Sequence, residues 1–358
     1  MTCKHRKAFW IRWFQFFILA ISISLPGLPA AKDKRELVVM TQNLYLGASL
    51  EPAIRATTAE EFLIAVATID ATVQFTNFPV RAAGIAQEIA LNAPDIIGLQ
   101  EVTEWLAVGP VTHGSQDFLA ILAQELDALN LHYQVVAVSH NAEIGPVPLV
   151  GPACTGGFGT CYLWLKDRDV ILVKQGLPGL NINSTLSGQY ASQLVVDTPV
   201  GPLTFNRGWT YFDGTFQGKK LRFVNTHLEE ESWPAIQEAQ AGEFLAGPAK
   251  AGGAVIAVGD FNSAADGSNT GSYALLTKSY FRDAWNVNAS DPGYTCCQDA
   301  TLTNPNSLLY ERIDLILTHA ASRTLDARLV NDVPFINGDQ PPLWPSDHAG
   351  IVAKIRIH

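Results

Sequence analysis

Basic residues are scarce in this chain, with 24 Lys and Arg against 34 Asp and Glu, a formal net charge of −10. No basic run breaks that balance. Blanket neutralisation of a nucleic-acid backbone needs the opposite sign. An enzyme that reaches phosphate through a bound cation is not excluded. Long apolar runs are also missing, since no stretch approaches the ~20 uninterrupted apolar residues of a membrane span. There is no internal repeat, low-complexity tract or linker to divide the 358 residues into two domains. The five cysteines show no zinc-ligand spacing with histidine, and no Ser or Cys nucleophile motif is present. A hydrophobic fraction of 47% excludes a wholly disordered chain.

What is present begins with a leader. Lys4, Arg6, Lys7 and Arg12 precede an apolar run from Trp13 to Leu25, followed by Leu28-Pro29-Ala30-Ala31. This is the order of a secretory signal. Residues 1–31 are expected to be removed, leaving a secreted or periplasmic domain of residues 32–358; if retained, the same segment would anchor the domain to a membrane. Removal leaves 20 basic against 34 acidic residues, a charge of about −14. Cys3 leaves too, and the remaining four cysteines are even in number, as an oxidising compartment favours. The preferred pairing joins Cys154 to Cys161 and Cys296 to Cys297, with cross-pairing left open.

Periodicity predicts strands at 36–43, 95–100, 132–138, 162–165, 170–174, 189–197, 203–211, 221–226, 254–258, 312–317, 325–330 and 350–357. Helices are predicted at 58–73, 79–91, 116–129 and 233–245, the first opened by a capping box at Thr58-Ala59-Glu60-Glu61. The Gly- and Pro-rich residues 141–160 read as a surface loop. This order suits an α/β fold, a four-layered sandwich with two face-to-face mixed β-sheets flanked by helices.

Six polar motifs sit at the ends of apolar strands: Thr41-Gln42-Asn43, Leu99-Gln100-Glu101-Val102, Asn225-Thr226-His227-Leu228, Gly259-Asp260-Phe261-Asn262, Glu311-Arg312-Ile313-Asp314 and Ser346-Asp347-His348. Taken singly each has an ordinary explanation as a helix cap, a turn or a surface pair. Together they are chemically consistent. Glu101, Asp260 and Asp347 offer hard oxygen ligands for a dication such as Mg2+, with Mn2+ or Ca2+ as alternatives. Asn43 and Asn262 add neutral amides, while His227 and His348 can donate to a phosphoryl oxygen or move protons. Such a set suits metal-assisted attack of water on a phosphate ester.

The ordered motifs QN, QEV, NTHL, GDFN, RID and SDH resemble the endonuclease/exonuclease/phosphatase superfamily, from Asn43 to His348. That resemblance implies that Glu101 holds the catalytic Mg2+, supported by Asn43. Asp260 would orient or deprotonate the attacking water, and Asn262 would hold the phosphate. His348, kept in its tautomer by Asp314, would stabilise charge on the pentacovalent phosphorus. Asp347 would lie at the metal or a second cation, and His227 at the phosphate or leaving group. An acidic partner for the middle histidine is part of the deoxyribonuclease-like pattern and has no clear counterpart here; Asp169 is a candidate, with a polar residue at a strand start as the other reading. Arg207-Gly208 resembles a basic-Gly step found near the phosphate in some relatives, and reads equally as a solvated loop. His113, His132, His140 and His319 lack a supporting motif and read as structural.

The expected activity is hydrolysis of a phosphate ester, a diester above all, by a monomer. Nucleic acid is possible but disfavoured by charge, and inositol phosphates would want clustered Lys and Arg. A membrane-lipid substrate of the sphingomyelinase type would need an exposed apolar loop, for which residues 141–160 are the candidate. A binding protein that kept the fold without catalysis is the reading of a different class.

Overall fold

The computed structural model describes residues 35–278, 280–288, 290–335 and 342–358. The expected signal segment lies outside them. Along the chain, β1 (Glu36–Asn43) leads through α1 (Glu51–Ile54), α2 (Ala59–Phe75) and α3 (Phe78–Asn92) to β2 (Ile96–Gln100). Next come β3 (Glu104–Val108), β4 (Gln116–Asp117), α4 (Phe118–Ala128), β5 (Tyr133–Pro148) and β6 (Tyr162–Lys174). β7 (Leu180–Gln189), the hairpin β8 (Leu194–Thr198) and β9 (Gly201–Phe205), β10 (Gly208–Phe216) and β11 (Lys219–His227) follow. The chain then runs through α5 (Pro234–Ala246), β12 (Ala254–Asp260), α6 (Ser272–Thr277), β13 (Arg282–Asp283), β14 (Asp314–His319), β15 (Ser322–Val330) and β16 (Gly350–Ile357).

Two mixed sheets carry the molecule. One has the order β15-β16-β1-β2-β6-β3-β4, with β5 also on β6; the other has β13-β14-β12-β11-β10-β7. Their inner faces meet in a core where Val39, Ile96 and Ile351 of the first sheet pack with Phe212, Phe223, Ile256 and Ile316 of the second. The outer face of the first sheet is covered by α2, α3 and α4 through Phe62, Ile69, Phe78, Ile85, Phe118 and Leu122. Phe244 of α5 and Leu276 of α6 cover the second through Val224, Val255 and Leu315. Four layers result, as the alternation of elements predicts.

Local chemistry explains the helix ends. Thr58 accepts from Glu61 N–H while Glu61 reaches back to the Thr58 backbone, the predicted capping box. Asp117 caps α4 by accepting from Leu119 and Ala120.

Several expectations need correction. Residues 141–148 are not loop but the second half of β5, paired with β6 through two register shifts, between His140 and Glu143 and between Ile144 and Val147. Bulges accommodate the Gly and Pro that an unbroken central strand would not tolerate, leaving the loop to 149–161. The strands predicted at 162–165 and 170–174 are one, β6, because Lys166-Asp167-Arg168-Asp169 continues the in–out alternation. The strand predicted at 189–197 is replaced by β7 and β8 with a break at Tyr190–Gln193, and that at 203–211 divides into β9 and β10. Cys154 pairs with Cys161, Sγ–Sγ 2.06 Å, and Cys296 pairs with Cys297.

Candidate active site

Strand direction gathers the motifs onto one rim. β1 and β2 run parallel, placing Asn43 opposite Gln100 and so beside Glu101. β11 and β12 are also parallel and end together, His227 opposite Asp260. β14 is antiparallel to β12 and begins where that strand ends, with Asp314 opposite Asp260. β16, antiparallel to β1, begins just after Asp347 and His348. Every motif therefore falls at the same edge of the two-sheet core. Gly259 is the one residue that fits its place in GDFN, because with φ of +154° a Cβ would collide with the Thr226 carbonyl oxygen.

The hydrogen bonds tie these groups into one network. His348 Nδ1 donates to Asp314 Oδ2 at 2.8 Å, which leaves Nε2 facing the cleft, 3.8 Å from Asp260 Oδ2 and 3.9 Å from Asp347 Oδ1. Asn43 Nδ2 donates to both Glu101 Oε1 (3.0 Å) and Asp260 Oδ2 (3.1 Å). Its Oδ1 accepts from Tyr45 N–H at 2.8 Å. Asn43, expected among the metal ligands, holds the two carboxylates together through its amide N–H groups, while its oxygen accepts one backbone hydrogen bond and keeps a second lone pair. Glu101 sits at φ of +53° and accepts from Leu46 N–H at 2.6 Å. Unfavourable backbone at such a residue is a mark of functional positions.

His227 lies on the other flank of Asp260, Nε2 to Oδ2 3.5 Å. Asn262 Nδ2 donates to His227 Nε2 (3.1 Å) and to Leu228 O (3.0 Å). Arg207 is brought into the site, with Nη1 3.1 Å from His227 Nδ1 and Nη2 3.2 Å from Glu229 Oε1. Asp169 is fully buried beside the ring: its carboxylate, that of Asp167 and a His227 nitrogen lie within 4.8 Å of one another. No hydrogen bond joins Asp169 to His227 among the described residues, because the ring nitrogens face Arg207 and Asn262. Three of the four histidines without a motif make local contacts away from the rim: His113 bonds Asp70 at 2.9 Å, His132 bonds Asp127 and His319 bonds Tyr280 O.

Charge and burial set the protonation states. Burial pushes Glu101 up to about 8, with Asp347 adding to it, and Asp260 up to about 6, with Asp314 adding to it. Burial would depress His348, but Asp314, Asp347 and Asp260 outweigh it and hold the imidazole well above its ordinary range. His227 moves the opposite way, lowered by burial and then by Arg207 and His348. The site therefore presents one cationic and one neutral imidazole near neutral pH.

Three residues that no motif marks support this centre. Arg81, 1% exposed, donates to the carbonyls of Leu44, Tyr45, Thr76 and Pro345, fastening the loop after Asn43 to the one before Asp347. Asp167 adds a buried carboxylate and Glu229 the partner of Arg207. Asp167 alone had a sequence signal, its place two residues before Asp169 on the same strand face.

The cleft has a volume of about 780 Å3 and reaches from Glu101, Asp260 and His348 to Arg207, Trp233 and Tyr310. Nine carboxylate residues line it (Glu51, Glu101, Asp167, Glu229, Glu230, Glu231, Asp260, Glu311 and Asp347) against two arginines, Arg55 and Arg207. On one side its wall is apolar, and Leu50, Ile54, Leu165 and Phe205 are shared with an adjoining pocket of about 50 Å3.

Solved structures resemble this fold over most of its length. An endonuclease/exonuclease/phosphatase family protein from Bacteroides thetaiotaomicron has a TM-score of 0.55 at 16% identity, covering 90% of this chain and 95% of its own. The mannosyl-6-phosphatase of the same organism gives 0.54 at 17%, covering 90% and 99%. An endonuclease/exonuclease/phosphatase from Beutenbergia cavernae gives 0.54 at 19%, covering 90% and 72%. No curated protein matches the sequence. The family description "Endonuclease/Exonuclease/phosphatase family" matches residues 40–348, which span every motif gathered at the rim. The chain belongs to that family.

Proposed function

We propose that this protein is an exported, Mg2+-dependent phosphoesterase, a phosphodiesterase above all, that acts as a monomer by direct attack of water on phosphorus. The observation that carries this reading is the His348–Asp314 pair, 2.8 Å apart, aimed across Asp260 at a cleft that Asn262 and His227 also line. His348, held cationic, donates from Nε2 to a phosphoryl oxygen as charge builds there. Asp260, ionised above about pH 6, orients the attacking water and takes its proton. Asn262 and His227 hold the phosphate, and Arg207 keeps His227 in place while its charge offsets the rim.

The donor set fits a hard dication. Burial and then Asp347 make Glu101 costly to ionise, and burial with Asp260 does the same to Asp347, a cost that a cation between them would relieve. When bound, such an ion neutralises phosphate charge and polarises the P–O bond. Asn43 keeps Glu101 and Asp260 in register for it.

Nine carboxylates against two arginines disfavour a polyanion such as nucleic acid or an inositol polyphosphate. The apolar wall at Leu50, Ile54 and Phe205 favours a diester with an uncharged, apolar substituent, a lipid-type substrate among them. Hydrolysis of bis-p-nitrophenyl phosphate, abolished by EDTA and restored by Mg2+, tests the enzyme reading. No turnover with any dication would favour a binding protein. Plasmid DNA, sphingomyelin and inositol phosphates then separate the substrate classes.

A further inference from the structure

The cysteine pair on the cleft wall lies against the central imidazole. Cys297 Sγ is 3.9 Å from His348 Nε2, and the two sulfurs and this ring lie within 4.8 Å of one another. The segment that carries them is tied to both halves of the His348–Asp314 pair. Thr295 Oγ1 accepts from Asp314 N–H (3.2 Å), Thr295 O accepts from Ala349 N–H (2.8 Å), and Gln298 N–H donates to Asp347 O (2.8 Å). With Nδ1 committed to Asp314, His348 turns its remaining nitrogen to the sulfurs. A carboxylate behind an imidazole whose far nitrogen faces thiols is the arrangement in which proteins hold zinc. Asp260 and Asp347, 3.8 and 3.9 Å from the same nitrogen, stand where a fourth ligand is needed.

We propose that Cys296, Cys297 and His348 form a redox-gated site for a thiophilic dication, Zn2+ or Cd2+, which shuts the active site when the cysteines are reduced. As the disulfide, the pair offers no thiolate and His348 Nε2 stays open to substrate. A dithiol reductant breaks the Cys296–Cys297 bond by passing on two electrons and two protons, itself becoming a disulfide. The resulting thiols and His348 Nε2 lose their protons to solvent as the ion binds, and the ion takes the place of the Nε2 proton that catalysis must donate. A disulfide oxidant accepts two electrons from the two thiolates and becomes a dithiol, which re-forms the Cys296–Cys297 bond, withdraws both sulfur ligands and releases the ion.

The activity arm of the test rests on the phosphoesterase reading; the binding arm does not. Full-length protein, oxidised or dithiol-reduced and freed of reductant, is titrated with Cd2+ while thiolate-to-metal absorption in the ultraviolet is followed. The expected result is one more Cd2+ equivalent with a thiolate band for reduced wild type than for reduced Cys296→Ser/Cys297→Ser. The Cys154–Cys161 pair is present in both and cancels. Equal bands in the two proteins would overturn the proposal. On wild type alone, the Cd2+-dependent shift of the His348 ring resonance should be larger after reduction than before, when Cd2+ acts only from the neighbouring Glu101 and Asp347; equal shifts in the two redox states would overturn it equally. In the activity arm, Zn2+ at the Glu101 carboxylates affects both redox states, so their difference is the readout. Residual Mg2+-supported turnover should be roughly tenfold or more lower for reduced than oxidised wild type at equal Zn2+, and equal for the two states of the double variant. Absence of turnover in every sample would refute the phosphoesterase reading while the Cd2+ result still decides the site.

Discussion

Asp314→Asn separates charge from geometry at the centre of the site. The side chain is fully buried at the start of β14, and its Oδ2 accepts from His348 Nδ1 at 2.8 Å. Asparagine can still accept that hydrogen bond through its own oxygen, so the ring stays in place. What disappears is the negative charge that acts most strongly among the three carboxylates raising His348. Asp347 and Asp260 remain, so the imidazole falls back toward its ordinary range without reaching a fully neutral state. A preorganised donor to a developing oxyanion is worth about 2–4 kcal/mol, roughly 30- to 1000-fold in kcat. The assay is kcat for bis-p-nitrophenyl phosphate at saturating Mg2+ across about pH 5–9. Wild type should lose activity below about pH 6, where Asp260 protonates, and hold it above neutrality. The variant should lose kcat most at alkaline pH and recover part of it near neutrality, since protons restore the imidazolium before Asp260 is lost. KM should change little. A variant within threefold of wild type at every pH would refute the assignment of His348 as a cationic donor held by Asp314.

Glu101→Gln should raise the Mg2+ concentration needed for half-maximal activity by roughly 100-fold, measured by metal titration at fixed substrate. In the wild-type protein the Mg2+ requirement should ease as pH rises to about 8, because below that the cation must displace the proton that burial and Asp347 keep on Glu101. The same raised carboxyl makes the metal-free fold lose stability as pH rises from the model-compound value of 4.5 through about 8, a loss that added Mg2+ should suppress in a thermal melt. Arg81→Met leaves four buried carbonyls without their donor and should cost about 3–5 kcal/mol. At about 2.1 cal/mol/K per residue that is a fall in Tm of roughly 4–8 °C, while an unchanged Tm would show that the two loops need no fastening.

The strand-end motifs were readable because the strands before them are unbroken apolar runs, buried throughout in β2 and β12. A buried run followed by Asp, Asn or His can only surface at a rim. Element order then implied two sheets and four layers. The charged Lys166–Asp169 stretch hid the continuity of β6, since carboxylates pointing inward at Asp167 and Asp169 contradict the expected pattern. Bulges hid the second half of β5 for a related reason, as Gly145 and Pro146 mark a turn unless a neighbouring strand absorbs them. Arg81 and Glu229 carry no local signal; their meaning lies largely in distant partners, up to 264 residues away for Arg81 and 22 for Glu229. Asn43 was readable as a site residue, but the direction of its amide, toward Glu101 and Asp260, was not.

The most direct test of a dication-assisted water attack at this rim is hydrolysis of a phosphodiester in heavy-oxygen water, with Mg2+ and with EDTA. The account predicts turnover only with the cation, one labelled oxygen in each phosphate product and none in the alcohol. Label in the alcohol, or turnover indifferent to EDTA, would contradict it.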